Sequence, residues 1–484
     1  MMRMMLTIAA AIAALASLVI SLGYHILIYV KARNSSHSWI VNPKMYEQVN
    51  KGKSSNNVKM TIIVPTKNEP LDLLVEATKV RAQALTSAKH CSGSVLIVSD
   101  DEVEYVMSLH NALRDEINSG IVKIIRREKP VGGRSGALDY GARVADGEYV
   151  MILDSDSKIT AETLDNICII ASELKPPAII APWKGYAKEP GRVSEAMIFS
   201  TDTVSHLLYR MRGRAGFFVF PLGSGTAIRK DVLEEVGYWG PNIIQDDIWL
   251  GTKLALRGYF PVVLEEGETE VLVPSKFRAL RIQQSRWAYG ASEVLSRTLH
   301  SIMTRAKMSL GKKLEMVLYM LQPALTLLIL IAIILAFAAT VLEPGWSFWK
   351  ALHTPSLIAV ALIAEAVIIA YVVLQLKLSD KTGWITDEAS LWKSLVQLGR
   401  AAAMLGVLIP VMGFHSLRGL LRLRYRYIIT PKRGSSVGRD WLPYAVLAAS
   451  ATGTGLAIFN HNIVSLAILL PFLIVSAYSS VRIE

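Results

Sequence analysis

The sequence predicts a soluble α/β domain with a mainly parallel sheet, joined to an α-helical membrane region. Residues 59–275 carry charges throughout, whereas the long apolar runs lie outside that range. Within it, short apolar runs alternate with stretches of helical periodicity, the pattern of βαβ units in a parallel sheet. We therefore expect one sizeable soluble domain, inserted after a first membrane span.

The membrane region is indicated by composition. Hydrophobic residues make up 52% of the 484 residues and are not evenly spread. Long apolar runs with few or no charges occupy 5–30, 315–342, 356–376, 443–459 and 463–480. Most of these runs reach the roughly 20 residues that an α-helix needs to cross a bilayer.

The first apolar run could be a signal peptide, since Arg3 precedes it and small residues are plentiful. However, it is about 26 residues long, and its end, from Tyr24 to Arg33, has the aromatic and basic residues of an interfacial anchor. We predict a retained transmembrane helix over 1–30. Residues 31–58 are polar and lack periodicity, which predicts a linker.

The basic residues give a further clue, because the formal net charge is +12 and Lys and Arg concentrate at 276–313 and 422–439. Nucleic-acid binding is one explanation of such patches. Basic segments beside apolar spans are more typical of cytoplasmic loops that face anionic lipids. We expect membrane lipids and no nucleic acid as partners, a place in the cell membrane, and a cytoplasmic soluble domain.

One apolar segment is ambiguous. Residues 396–421 are interrupted by glycines, Arg400 and Pro410. If this segment crossed the membrane, the basic loop 422–440 would lie opposite the soluble domain, against the positive-inside tendency. We predict that it is an interfacial helix, which leaves five spans within 1–30 and 314–484 and places the N-terminus outside. Residues 276–313 are predicted to form amphipathic interfacial helices.

Two cysteines, Cys91 and Cys168, lie far apart in the soluble domain. They suggest neither a disulfide framework nor a Cys-x-x-Cys metal site, which agrees with a reducing, cytoplasmic location.

Strands and helices alternate through the first half of the domain. Strands are predicted over 61–65, 95–99, 122–127 and 149–153, and helices over 71–88, over 102–117 and from about Ser135. Ligands of parallel sheets bind beyond the carboxyl ends of the strands. Thr66 and Glu69 follow the first strand, and Asp100 and Asp101 follow the second. A carboxylate at a strand end can accept hydrogen bonds from a base or ribose, although capping of the next helix is the alternative.

The strand 149–153 ends in Asp154-Ser155-Asp156. Alternation along an extended chain places both carboxylates on one side. Two close carboxylates repel each other unless a cation lies between them, and a hard divalent cation is the usual one. A capped turn is the alternative. No Gly-x-Gly-x-x-Gly follows the first strand and no P-loop motif occurs, which argues against a dehydrogenase or a P-loop ATPase.

Two more motifs carry polar groups suited to phosphate or acid–base chemistry. Gly132 to Gly136, with Arg134, could bring backbone and one cation close to a phosphate, or form a plain turn. Asp246 and Asp247 begin an amphipathic helix, whose dipole favours negative charge there. A carboxylate in that place could instead remove a proton from an acceptor hydroxyl.

A fourth motif places Gln283, Arg286 and Trp287 on one helical face, since they are spaced i, i+3 and i+4. The indole could stack on a sugar ring while the guanidinium faces a diphosphate. An interfacial helix with a Trp anchor is the alternative.

Taken in order from Thr61 to Trp287, beside membrane spans, these motifs resemble the family 2 glycosyltransferases. Within that family the chain looks like the cellulose synthase-like and hyaluronan synthase-like membrane enzymes. Residues 427–432 resemble the gating loop of cellulose synthases, with Thr430 and Lys432 at matching positions, and residues 223–230 are similar to a stretch that lines the acceptor site. The family's usual Thr-Glu-Asp is Gln245-Asp246-Asp247 in this chain.

The resemblance implies a GT-A domain that transfers a sugar from a nucleotide diphosphate with inversion, in one displacement. Asp156, helped by Asp154, would hold Mg²⁺ or Mn²⁺. Asp247 would be the catalytic base, with Asp246 in the place of the family's Glu. The nucleotide sugar would be bound by Thr66, Glu69, Asp100, Asp101, Arg134 and Asp154. The acceptor and the departing diphosphate would be bound by Gln283, Arg286, Trp287, Thr430 and Lys432.

The resemblance does not identify the acceptor of the sugar. Either a growing polysaccharide or a lipid, such as a polyprenyl phosphate or lipid-linked glycan that receives one sugar (mannose, for example), fits the resemblance. No motif reads the sugar or distinguishes UDP from GDP. A transporter or an inactive scaffold is disfavoured, because ionisable residues within the spans are few and the acidic set is intact.

Overall fold

The computed structural model describes residues 5–35, 38–49, 57–240, 242–343, 347, 349, 351, 353–432 and 438–483. The strands are β1 (Ile40–Val41), β2 (Val58–Thr66), β3 (Cys91–Ser99), β4 (Val122–Arg126), β5 (Tyr149–Ile152), β6 (Lys158–Ile159), β7 (Ala178–Ile180), β8 (Trp183–Tyr186), β9 (Thr226–Arg229), β10 (Val262–Leu264) and β11 (Thr269–Leu272). The α-helices as far as residue 321 are α1 (Met5–Asn34), α2 (Pro43–Val49), α3 (Leu71–Ser87), α4 (Val103–Ala112), α5 (Arg114–Asn118), α6 (Gly133–Val144), α7 (Ala161–Leu174), α8 (Arg192–Ser205), α9 (Arg212–Arg214), α10 (Lys230–Glu235), α11 (Asp246–Arg257), α12 (Phe277–Arg305) and α13 (Leu310–Leu321). Five further described helices follow: α14 (Leu325–Leu342), α15 (Pro355–Lys381), α16 (Glu388–Leu420), α17 (Leu442–Phe459) and α18 (Ile463–Tyr478).

The main sheet has eight strands in the order β1-β10-β7-β9-β5-β2-β3-β4. Its neighbours pair in parallel, except that β9 runs antiparallel to both β5 and β7. The central strands are apolar and buried because helices cover both faces and form two hydrophobic cores. The predicted mainly parallel α/β fold is confirmed. The antiparallel β9 was not predicted, because four residues carry too little periodicity.

A second sheet of three short strands, β6-β11-β8, adjoins the main one. β11 pairs antiparallel with β6 and parallel with β8. β6 begins two residues after Asp156, so this small sheet holds the chain directly beyond the acidic pair. None of these strands was predicted from the sequence.

Two local predictions were wrong. The helix expected over 102–117 is interrupted at Leu113 and forms α4 and α5. The predicted linker 31–58 is partly structured, since Ile40 and Val41 pair with Val263 and Leu264 at the edge of the sheet and α2 follows. Burial of these apolar side chains explains the added strand. Residues 36–37 and 50–56 of that segment lie outside the described residues.

The expectation about the cysteines was also wrong, because Cys91 and Cys168 form a disulfide. The first residue of β3 and the middle of α7 are 77 residues apart in sequence, but the fold brings their Cα atoms to 5.6 Å. Sequence spacing gave no sign of this proximity. The cysteines therefore lend no support to a reducing compartment, and the placement of the soluble domain rests on the charge pattern alone.

Six helices of the described residues are long and apolar enough to cross a membrane: 5–34, 310–342, 355–381, 388–420, 442–459 and 463–483. The chain is accordingly a multi-pass membrane protein. The second of these contains a break at Gln322–Ala324, and its first part, α13, packs on the soluble domain. Glu315 of α13 is buried there and pairs with Arg212 at 2.7 Å, while the Tyr24 hydroxyl of α1 donates to it at 2.6 Å.

One of the six, α16, includes the predicted interfacial helix. Arg400 of α16 pairs with Glu195 of α8 at 2.9 Å. Nineteen residues later, Gly419 lies so close to α12 that an added Cβ would be 2.3 Å from the Tyr289 carbonyl oxygen. An α-helix covers about 28 Å over that length, close to the thickness of a bilayer core. Between them, Gly413 packs on Leu327 of α14 and Gly406 on Val475 of α18, two other candidate spans. An interfacial position for this helix stays a prediction.

Candidate active site

The candidate site lies beyond the carboxyl ends of three neighbouring strands. β2 lies between β3 and β5, with Thr66 opposite Ser99 and Ile63 opposite Ile152. Side chains that follow these strands therefore emerge at one edge of the sheet. Thr66 is buried there, and its carbonyl accepts a hydrogen bond from the Asp100 N–H at 3.0 Å.

Lys432 lies among the acidic residues of this edge. Its Nζ is 2.9 Å from Oδ2 of Asp156 and 3.0 Å from Oε2 of Glu69, and it donates to the Ser155 hydroxyl at 2.5 Å. All three charged side chains are largely buried. The loop that resembles a gating loop thus contacts the Asp-x-Asp motif directly, although residues 433–437 of the predicted loop 422–440 lie outside the described part of the chain.

The charges in this cluster shift one another's pKa values. Burial raises the pKa of Glu69, an effect that Lys432 only partly opposes. Burial acts to lower the pKa of Lys432, but the charges of Asp156 and Glu69 outweigh it and raise that pKa. Lys432 is therefore a permanent cation at this position.

The donor set here suits a hard divalent cation. Within the described residues, no three or more His, Cys, Asp or Glu side chains surround a point where a metal ion would fit. Carboxylate oxygens of Asp156 and Glu69 do converge on one ammonium group, which acts as a stand-in cation. Mg²⁺ typically takes one or two carboxylates and completes its coordination with water and substrate phosphates. The residues present therefore fit such an ion, and the role of Asp156 as its main ligand stays a prediction.

Arg134 joins the Asp-x-Asp motif to the second acidic pair. Its Nη2 lies 2.8 Å from Oδ1 of Asp154 and its Nη1 lies 2.5 Å from Oδ2 of Asp246. It also donates to the carbonyl of Gly223. Burial acts to raise the pKa of Asp154, but Arg134 and Lys432 outweigh it and hold that pKa below its usual value. The glycine-rich segment thus delivers a cation into the site, and its contact with a phosphate stays a prediction.

Asp247 lies in the first turn of α11, beside this cation. Its Oδ2 accepts the Gly223 N–H at 3.1 Å and its Oδ1 accepts the Ile248 N–H at 2.8 Å. Burial, and next the charge of Asp246, raise the pKa of Asp247 to about 6. Such a carboxylate is ionised at neutral pH and is more basic than an ordinary one, which suits a general base.

The carboxylates of Asp100 and Asp101 both bond to other groups of the protein. Asp100 forms a bidentate pair with Arg127, with both N–O distances at 2.6 Å. Arg127 also donates to the carbonyls of Val131 and Gly133, so the pair holds the glycine-rich turn. Sequence reasoning missed Arg127, although it directly follows β4 as the acids follow their strands. Contact of Asp100 with a nucleoside stays a prediction.

The carboxylate of Asp101 is also used internally. It accepts the Asn68 N–H at 2.5 Å and the Ser99 hydroxyl at 2.8 Å. This arrangement fixes the turn after β2, which carries Glu69, and leaves a direct role toward the nucleoside as a prediction.

The Gln-x-x-Arg-Trp motif lies on α12, as expected. Arg286 donates to the Tyr427 hydroxyl at 3.2 Å and lies 5.1 Å from the centre of its ring. Trp287 stacks on Trp183, with ring centroids 6.1 Å apart, and Trp183 donates to the carbonyl of Ser224 at 2.6 Å. Trp183 was missed because nothing in its sequence context marks it.

The two remaining predicted residues of this group are Gln283 and Thr430. Gln283 is half-buried on α12, on the motif's side of the helix. The Thr430 hydroxyl is buried without a hydrogen-bond partner among the described atoms, so it remains free for a ligand.

Comparison with known sequences agrees with this geometry. The profile described as glycosyl transferase family group 2 matches residues 149–374. A probable glycosyltransferase of Sulfolobus acidocaldarius is 28% identical over 395 residues, which is 78% of this chain and 78% of that protein. Glucomannan 4-β-mannosyltransferase 9 of Arabidopsis thaliana is 26% identical over 248 residues, 49% of this chain and 46% of that protein. The match with the plant enzyme thus spans less than half of that enzyme's length.

A solved structure shows the same fold. A mannosyltransferase of Pyrobaculum calidifontis, in complex with GDP-Man and Mn²⁺, superposes with a TM-score of 0.52. The superposition covers 86% of this chain and all of that one, at 16% identity. This likeness shows that the soluble domain has the GT-A fold.

Proposed function

The chain is a family 2 glycosyltransferase of the cellulose synthase-like type, and we propose that it transfers a sugar from a UDP- or GDP-sugar to the hydroxyl of a growing polysaccharide, with inversion. The observation that carries this proposal is the arrangement around Arg134. That one guanidinium pairs with Asp154 and with Asp246, and it donates to the carbonyl of Gly223, whose N–H bonds to the carboxylate with a raised pKa, Asp247. A base at Asp247 and a diphosphate beside Asp154 would thus lie on either side of a single reacting centre.

The donor would lie with its diphosphate against Lys432, Arg134 and the acidic pair. A divalent cation bound there would neutralise the diphosphate and improve it as a leaving group. Asp156 would hold this cation, with Asp154 and Glu69 close by. Binding of the diphosphate would require Lys432 to turn from the carboxylates toward the phosphate oxygens.

The acceptor hydroxyl would approach Asp247, which would take its proton as the oxygen attacks the anomeric carbon. Attack from the face opposite the diphosphate breaks the bond to the donor phosphate and inverts the anomeric centre. Asp246 keeps the pKa of Asp247 raised and holds Arg134 in place. Positioned general bases are typically worth about 10²–10⁴-fold in rate.

The stacked pair Trp183 and Trp287 would receive the acceptor sugar. Indole rings offer a flat apolar surface to the C–H face of a pyranose, and the half-buried Gln283 adds an amide on the same side. Arg286, held against Tyr427, would steady the charge of the departing diphosphate.

We further propose that the soluble domain is cytoplasmic and that α12 and α16 lie in the membrane interface. The basic segments 276–313 and 422–439 would then lie on the same, cytoplasmic side of the membrane, where anionic lipid is enriched.

A labelled-product experiment tests the proposal. The purified full chain is incubated with radiolabelled UDP- and GDP-sugars and Mn²⁺ or Mg²⁺, and the products are sized. Polymer of increasing length is expected. Label confined to a single-sugar, solvent-extractable product would support the second candidate, transfer of one sugar to a polyprenyl phosphate or lipid-linked glycan. The small number of candidate spans, six among the described residues, favours that candidate.

A further inference from the structure

A basic cavity lies between α12, α16 and the segment that leads to Lys432. It has a volume of about 540 Å³, and its polar lining comprises Arg281, Ser285, His415, Arg418, Arg424, Tyr425 and Arg426. The cavity adjoins the candidate active site, because the Tyr427 hydroxyl of the same segment bonds to Arg286. Tyr427 and Arg286 themselves do not line the cavity.

Positive charge in this cavity is largely uncompensated. Arg281 pairs with the buried Asp440 at 2.7 Å. Arg418 donates to the backbone carbonyl of Arg424, and the described residues provide no carboxylate ion pair for Arg418, Arg424 or Arg426. Arg424 and Arg426 are exposed and Arg418 is half-buried, so an anion can reach all three, and their planar forks match phosphate geometry.

The lining also carries unused hydrogen-bonding capacity. The Ser285 side chain is 4% exposed, and its Oγ has no hydrogen-bond partner within the described part of the chain. The same holds for the buried Nδ1 of His415. Buried polar atoms are nearly always paired, so these two mark a place where a polar ligand fits.

The surface beside the cavity is apolar and exposed. Phe414, Leu417 and Leu421 are spaced i, i+3 and i+7 along α16, and they are 54%, 39% and 60% exposed. Such a face on a helix with Arg418 on its adjacent side is typical of a helix at a bilayer surface. Basic pockets beside membrane helices on the cytoplasmic side bind lipid headgroups.

We propose that this cavity binds the phosphate headgroup of an anionic membrane lipid, with the lipid chains lying along Phe414, Leu417 and Leu421. Three uncompensated arginines favour a phosphomonoester or diphosphate over a singly charged phosphodiester. Such binding goes beyond sugar transfer and would hold whichever acceptor the enzyme uses.

Native mass spectrometry of the full chain in detergent, titrated with phosphatidate, tests this assignment. Phosphatidate is expected to bind at least about tenfold more tightly than phosphatidylcholine, with phosphatidylglycerol in between. Arg424→Gln combined with Arg426→Gln should weaken phosphatidate binding at least about tenfold, since two charge-assisted, bidentate contacts to the phosphate are lost.

Arg422→Gln is the matched control, because Arg422 is an exposed arginine of the same segment whose guanidinium bonds to Ser296 outside the cavity. It should change the affinity less than about twofold. Loss of binding equal to that of the double variant would overturn the proposal in favour of diffuse surface charge. Inorganic phosphate that binds as tightly as phosphatidate would overturn the lipid as the source of the phosphate. If the glutamine variants do not fold, Arg424→Lys with Arg426→Lys keeps the charge and should still lose affinity, because lysine lacks the bidentate fork.

Discussion

The ammonium group of Lys432 lies between the carboxylates of Asp156 and Glu69, at 2.9 Å and 3.0 Å. In the absence of a donor, the lysine therefore occupies the position proposed for a divalent cation. A divalent cation bound to these oxygens would be repelled by the adjacent ammonium group, so Lys432 and the metal ion would compete for the carboxylates until a diphosphate binds one of them.

Lys432→Met should accordingly have opposite effects on two measurements. Binding of Mn²⁺ without nucleotide should become at least about tenfold tighter, because a competing charge is removed from a buried site. Turnover should fall at least about tenfold, because the diphosphate loses a cation. Electron paramagnetic resonance of free Mn²⁺ measures the first effect, and release of labelled product measures the second.

Lys89→Met is the control for that pair of measurements, since Lys89 is exposed and remote from the acids. It should change neither quantity. Weaker metal binding in Lys432→Met would show that the lysine does not compete with the ion.

Gly290 of α12 controls how closely the Gln-x-x-Arg-Trp helix approaches the base. A Cβ at that position would lie 2.7 Å from Cβ of Gln245 and 3.1 Å from its backbone nitrogen. Gly290→Ala should push the turn that carries Asp247 out of place and lower kcat. Overpacking of this kind typically costs about 1–3 kcal/mol of stability.

Gly399→Ala provides the comparison, because nothing lies within 4 Å of a Cβ added at Gly399 in α16. Removing a glycine from a helix interior should stabilise by up to about 1 kcal/mol and leave kcat unchanged. Thermal unfolding and initial rates of both variants check the pair. Equal rates in the two variants would mean that the α12–Gln245 contact does not position the base.

The pH dependence of the reaction rate should reflect the ionisation of the Asp247 carboxyl. Its pKa is raised to about 6, so the carboxylate is mostly protonated at pH 5 and ionised above pH 7. The rate at saturating donor and acceptor should therefore rise with pH through about 6 and then level off. Asp246→Asn removes a like charge and frees Arg134, so the rise should move to lower pH. A shift to higher pH would contradict the proposed interaction of the two carboxylates.

The raised pKa of Asp247 also makes the free energy of unfolding depend on pH, in a direction that can be stated. A buried acid whose pKa is higher in the folded state loses stability as pH rises from about 4 through about 6. Asp247→Asn, which cannot ionise, should therefore unfold at the same or a higher temperature than the parent protein above pH 6. This expectation makes the variant a suitable probe of chemistry alone.

Periodicity and strand-end acids were enough to predict the sheet and the position of its ligand edge. Asp154, Asp156, Asp246 and Asp247 meet there because each follows a strand or begins a helix that the sequence marks. The place of Lys432 beside the diphosphate was implied only by family resemblance, and its contact with Asp156 was not predicted, since no local pattern links segments so far apart.

Other features depend on packing between distant segments and left no trace in the sequence. Trp183 reaches Trp287 only because β8 joins a second sheet of short strands. Cys91 and Cys168 meet only because α7 packs beside β3. Arg127 directly follows β4, as the acidic residues follow their strands, so the sequence did carry a signal for it.

The central claim is that Asp247 removes the proton from the acceptor hydroxyl, and Asp247→Asn tests it most directly when rate and donor binding are measured in one preparation. If Asp247 is the base, turnover should fall by at least about 10²-fold while the dissociation constant of the nucleotide sugar changes less than about threefold. A variant that keeps its turnover, or that loses nucleotide binding together with it, would contradict the assignment.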